Sequence, residues 1–131
     1  MNTQDLLTQY AAGERQFQQI DLNGASLYRA QLEAIVLTEA SLIGANLSGA
    51  NLSGANLSQA NLIGANLSGA NLRAVNLSGA ALIGANLGGA KLGGANLAEI
   101  ILNGANLSAA NLSQTNFRAA SLARANLAGT V

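Results

Sequence analysis

From Phe17 to Leu127 every fifth residue is a large apolar side chain, Leu at every such centre except Phe17 and Phe117. Two places before each centre stands mostly Ala, with Ile20, Ile35, Val75, Ile100 and Thr115 as larger exceptions and Arg15 before the series settles, and between them stands mainly Asn, as in ANLSGANLSGANLSQANL. A helix cannot use this pattern. At ~100° per residue a period of five advances about 500°, so successive Leu side chains would smear around the cylinder and form no stripe. Apolar, polar, apolar over three residues describes a short extended segment whose ends point inward and whose middle points out. Gly follows at the second position after the centre in 12 of the 23 units, where a bending chain needs positive φ. Each unit is therefore predicted to be one short side followed by a corner.

A slower period fixes the number of sides. LIGANL occurs at residues 42–47, 62–67 and 82–87, and the outward Ile43 meets Ser58 fifteen residues later but Ile63 at twenty and Ile83 at forty. Stacking like on like requires four sides per coil, an all-β solenoid in which each coil pairs with those above and below. Corners 24, 44, 64, 84 and 104 are all Gly, whereas the neighbouring corners are Gln19, Glu39, Gln59, Gly79, Glu99 and Ala119. This contrast predicts a positive-φ turn at the first column and a different turn at the second.

The units A-N-L-S-G, A-N-L-R-A and T-N-F-R-A resemble those of the pentapeptide-repeat family over roughly residues 16 to 130, and the opening YAAGERQFQQIDLNGASL resembles the start of cyanobacterial members. The resemblance implies a right-handed quadrilateral β-helix with Leu or Phe and the preceding Ala inside. Twenty-three sides make about 5.75 coils, a rod roughly 27 Å long at ~4.8 Å per coil. Residues 16–131 are assigned to this β-helix and residues 1–15 to an N-terminal capping helix and lead-in loop. Asn2 suits the N-cap, Asp5 the first turn, Leu6, Leu7 and Tyr10 one apolar face, and Gly13 the stop. The last unit, ANLAGTV, has no such cover, and the resemblance implies that an uncapped C-terminal coil can serve for homodimerisation.

Composition narrows the function. Half of the residues are apolar, there is no Cys or His, and charged residues are 9% with net charge zero. Nucleic acid and membrane surfaces are accordingly not expected as partners. No histidine base, cysteine nucleophile or phosphate loop is present, so catalytic, cofactor-binding and metal-binding residues are all assigned as none, and the protein is expected to be non-enzymatic. Asp21 and Glu39 are two carboxylates that can approach one another, but a convex rod offers them no concave pocket. MNTQDLLTQY does not read as a signal peptide, which makes a cytoplasmic location the expectation. Charge divides along the chain: residues 1–40 sum to −3 and residues 41–131 to +3.

Three readings of function remain. Some family relatives bind DNA gyrase by presenting an acidic rod that mimics a duplex, but residues 40–72 here contain no charge at all. Ice or surface binding through polar ladders would use Asn46 with Ser48, Asn66 with Ser68 and Asn106 with Ser108, although stacked Asn amides that bond from coil to coil explain the ladder more simply. The third reading, a structural or protein-interaction module, has the most specific feature: Ile43, Ile63 and Ile83 stacked outward, with Ala81 and Ile101 in the adjacent column. That strip is the candidate interaction site, for an unidentified protein partner or a second copy of the chain.

Overall fold

Five backbone N–H groups per unit need acceptors, and where they find them defines the architecture. In the computed structural model, which describes residues 1–131, the N–H of each centre from Phe17 to Leu112 bonds to the carbonyl nineteen residues on, as in Leu47 to Asn66 at 2.7 Å. The residue two places later does likewise, as in Gly49 to Ser68 at 2.9 Å. The residue before the centre donates in the other direction, as in Asn46 to Ala25 at 2.9 Å, and the third residue after the centre closes the corner, as in Ala50 to Leu47 at 3.0 Å. The result is a ladder of single-residue parallel bridges, each between residues twenty apart, from Gln16 with Val36 to Asn106 with Asn126. No side is long enough to form a continuous strand, because a corner interrupts the pairing every five residues.

The corners differ from the sequence expectation of two alternating turn types. All twenty-three take positive φ at the second residue after the centre, from 55° at Arg29 to 72° at Gly94, in both columns alike: Gly44 is at 66° and Glu39 at 60°. The hydrogen bond across the corner and the left-handed third residue give the type II pattern. A square coil uses the same bend four times, so geometry imposes the conformation whether or not Gly is present. Eleven corners are non-Gly, and each accepts a left-handed cost of about 1–2 kcal/mol.

The interior is a column of Leu and Ala. From Phe17 to Leu107 every centre is buried, and these residues form one continuous apolar cluster with no buried polar side chain. α1 (Thr3–Ala11) precedes the first side. Asn2 accepts the Asp5 N–H at 2.8 Å while Asp5 accepts the Asn2 N–H at 3.5 Å, a reciprocal capping box. Leu6 on this helix is fully buried and belongs to the same cluster as the coil interior, with Leu7 and Tyr10 packed against it. At the far end Leu112, Phe117 and Leu122 are only half-buried and Leu127 is 40% exposed.

Candidate interaction surface

Four of the five N–H groups in a unit are satisfied by backbone; the fifth, on the residue after the centre, is not. The Asn before the centre supplies its acceptor. Asn46 Oδ1 takes the Ser48 N–H at 3.0 Å, Asn66 takes that of Ser68 at 3.0 Å, and Asn96 takes that of Ala98 at 3.1 Å. All thirteen Asn of this column do the same, and Asp21 does so for Asn23 at 2.9 Å. Such side-chain turns need a short carbonyl two residues before the N–H, which is why Asn recurs there. This corrects the expected coil-to-coil amide ladder. Amide contacts between successive Asn occur only from Asn106 to Asn86 at 3.2 Å and from Asn116 to Asn96 at 3.5 Å. The backbone claims the oxygen first, and the Ser48, Ser68 and Ser113 hydroxyls bond to the same oxygen from within their own coil.

One side interrupts this polar covering. Ile43 is 40% exposed, Ile83 44% and Ile101 37%, while Ile63 and Ala81 are half-buried. Ala81 pairs with Ile101 in the bridge column, and Ile43, Ile63 and Ile83 occupy equivalent positions one coil apart. The strip has ends. Asn23 precedes Ile43 in the column and accepts both its N–H, at 2.9 Å, and the Ser41 hydroxyl; Asn103 follows Ile83 and accepts the Ser121 hydroxyl. Along one flank the corners Gly44, Gly64 and Gly84 are so open that a methyl group on any of them would meet nothing within 4 Å.

Beyond Ile83 the strip runs into a feature that the sequence pattern did not flag, a shallow open groove of about 440 Å³ lined by Ile83, Gly84, Asn103, Gly104, Ala123 and Arg124. The signal was present in the corner column, which reads Gly from 24 to 104 and then Arg124. The two carboxylates singled out above face separate partners, Asp21 the Asn23 N–H and Glu39 the Gln19 amide at 3.5 Å. One carboxylate has a shifted titration: the N–H groups of Gln16 at 2.9 Å and Arg15 at 2.8 Å, with the Arg15 charge nearby, hold exposed Glu14 below its usual range.

The pentapeptide repeats profile matches residues 16–54, 40–79, 50–89, 80–118 and 100–131, with eight copies of the repeat in all, and the chain belongs to that family. Members fold as right-handed quadrilateral β-helices. Among solved structures, the pentapeptide repeat protein Rfr23 from the cyanobacterium Cyanothece 51142 is 31% identical over 98% of this chain and 99% of that one, with a TM-score of 0.73. AT2G44920, a pentapeptide repeat protein from the thylakoid lumen of Arabidopsis thaliana, is 30% identical over 82% of this chain and 72% of that one, with a TM-score of 0.51. No curated protein matches the chain. No helix is long and apolar enough to cross a membrane.

Proposed function

We propose that the chain is a non-enzymatic structural or protein-interaction module, with the interaction role favoured, whose contact surface is the strip of Ile43, Ile63 and Ile83 with Ala81 and Ile101. The exposure of Ile43, Ile83 and Ile101 together on a single side of the rod carries this reading. The repeat requires apolar residues only at the centre and two places before it. Burying each Ile against a partner contributes about 1.5–3 kcal/mol, and the open glycine corners let a partner approach the backbone closely. On this reading residues 16–131 form about 5.75 coils at ~4.8 Å spacing and residues 1–15 are their cap.

Duplex mimicry of the gyrase-binding kind is not favoured, because the uncharged stretch from residue 40 to 72 leaves the middle of the rod without an acidic face. Ice binding is weakened by the Asn oxygens, which are committed to backbone N–H groups rather than to a surface lattice. The test is the double variant Ile63→Asp, Ile83→Asp. Loss of captured partner, or of a self-associated species in sedimentation, with an unchanged far-UV spectrum supports the strip; unchanged capture and sedimentation removes it.

A further inference from the structure

The two ends of the rod are complementary edges of the same ladder. On the last coil the N–H groups of Phe117, Ala119, Leu122, Arg124, Leu127 and Gly129 have no carbonyl opposite them. On the first coil the carbonyls of Gln16, Gln18, Asp21, Asn23, Ser26 and Tyr28 have no donor. These are the positions that pair between successive coils, as Leu97 N–H does with the Asn116 carbonyl and Glu99 N–H with that of Arg118, both at 2.8 Å. The reverse set matches too: the N–H groups of Asp21 and Ser26 lack the carbonyls that their equivalents find, and the carbonyls of Ala120 and Ala125 stand unused at the other end. Cross-sections agree, Phe17, Leu22 and Leu27 at one end against Phe117, Leu122 and Leu127 at the other. The charges oppose, Asp21 and Glu33 against Arg118 and Arg124, which favours head-to-tail encounter over like ends meeting.

Only α1 stands between these two edges. Its sole fully buried side chain is Leu6, and its polar attachment to the coils is the Tyr10 hydroxyl, which donates to the Glu33 carbonyl at 2.7 Å. That carbonyl is one of the first coil's own edge acceptors. Arg15 holds Tyr10 from the other side, its guanidinium 3.7 Å from the ring centre and Nη1 2.9 Å from the Tyr10 carbonyl.

We propose that α1 is a displaceable plug, and that when it leaves, the first coil of one chain docks on the last coil of a second copy, continuing the ladder from rod to rod. An unpaired β edge is a template for another chain, and a heterologous contact between two different ends propagates rather than closing.

The experiment uses the chain of residues 1–131 carrying Leu6→Asp, which puts a carboxylate into the apolar site and expels the helix. Sedimentation velocity is expected to show a weight-average mass above that of two chains and rising with concentration. The double variant Leu6→Asp, Leu127→Asp should remain at the mass of one chain, whereas Leu6→Asp combined with Ile63→Asp and Ile83→Asp should still assemble, which separates this contact from the Ile strip. A Leu6→Asp chain that keeps its far-UV spectrum and sediments as a single chain overturns the proposal, as does assembly that survives Leu127→Asp. If Leu6→Asp loses the β-helix spectrum, Tyr10→Phe carries the test, since it removes only the hydroxyl; a mass no greater than wild type at high concentration then overturns the proposal.

Discussion

Asn66 and Ser68 are joined twice through one oxygen: Asn66 Oδ1 accepts the Ser68 N–H at 3.0 Å and the Ser68 hydroxyl at 2.7 Å. The first of these bonds supplies the one N–H that the solenoid cannot satisfy with backbone. Asn66→Ala should therefore destabilise the protein by about 1–3 kcal/mol in urea unfolding, the cost of leaving a half-buried donor unpaired. Asn66→Asp keeps the acceptor, as Asp21 does for Asn23, and should recover most of the loss.

Gln59 and Gly79 are stacked corners, and the Gln59 amide occupies the space that a Cβ on Gly79 would need. Gly79→Ala adds a left-handed penalty to this clash and is expected to cost about 1–2 kcal/mol. Gln59→Gly removes the clash but not the penalty. Because that amide ends a flexible side chain that can swing aside, a double-mutant cycle should show only weak favourable coupling, below about 0.5 kcal/mol, and a larger value would mean that the amide is held in place.

Ala109 sits in the left-handed region at φ 61°, where Gly44 and Gly64 sit at 66°. Ala109→Gly should raise the unfolding midpoint or leave it level, as relief of up to about 1–2 kcal/mol competes with the greater freedom of an unfolded Gly. Gly64→Ala, with nothing within 4 Å to obstruct the methyl, isolates the conformational cost and should lower stability by a similar amount. Equal stabilities for Gly64→Ala and wild type would mean that the corners carry no strain.

Glu14 is held below the ordinary carboxylate range by the N–H groups of Gln16 and Arg15. A depressed folded-state value means that its stabilising effect is present above the ordinary carboxylate pKa and is lost as pH falls through the lower folded value. Acidification should therefore loosen the junction between α1 and the first coil. An NMR titration should place the Glu14 side chain below the ordinary glutamate range, and Glu14→Gln should remove that part of the acid dependence.

The repeat was legible because its requirements are steric: the interior of a narrow coil admits Leu, Phe and Ala, and the outward Ile43, Ile63 and Ile83 disclosed the twenty-residue register now seen in the bridges. The N-cap was legible for a similar reason, since Asn2 and Asp5 have the spacing of reciprocal capping. Corner conformation was not. Gly frequency measures how comfortably a residue tolerates positive φ, while the coil decides whether positive φ is required, so Glu39, Gln59 and Glu99 adopt what their sequence argues against. The bonding of the Asn column was misread because an amide in an outer row can reach either its own backbone or the next coil. Only the tally of backbone donors shows which N–H goes without a partner. The ordering of the Ile strip was partly visible: its column could be read, but the lower exposure of Ile63 between Ile43 and Ile83 depends on neighbours in space.

The bridge register has a consequence for how such a chain can change length. Its inside counts in fives and its outside counts in twenties. Inserting one pentapeptide after Ala74 would leave every later Leu in the interior, yet it would turn the remainder of the rod by a quarter revolution and carry Ile83 to a different side from Ile43 and Ile63. Duplicating twenty residues would add a coil and keep every column intact. Selection acting on stability alone would scarcely notice the first change, whereas selection acting on a surface would permit only the second.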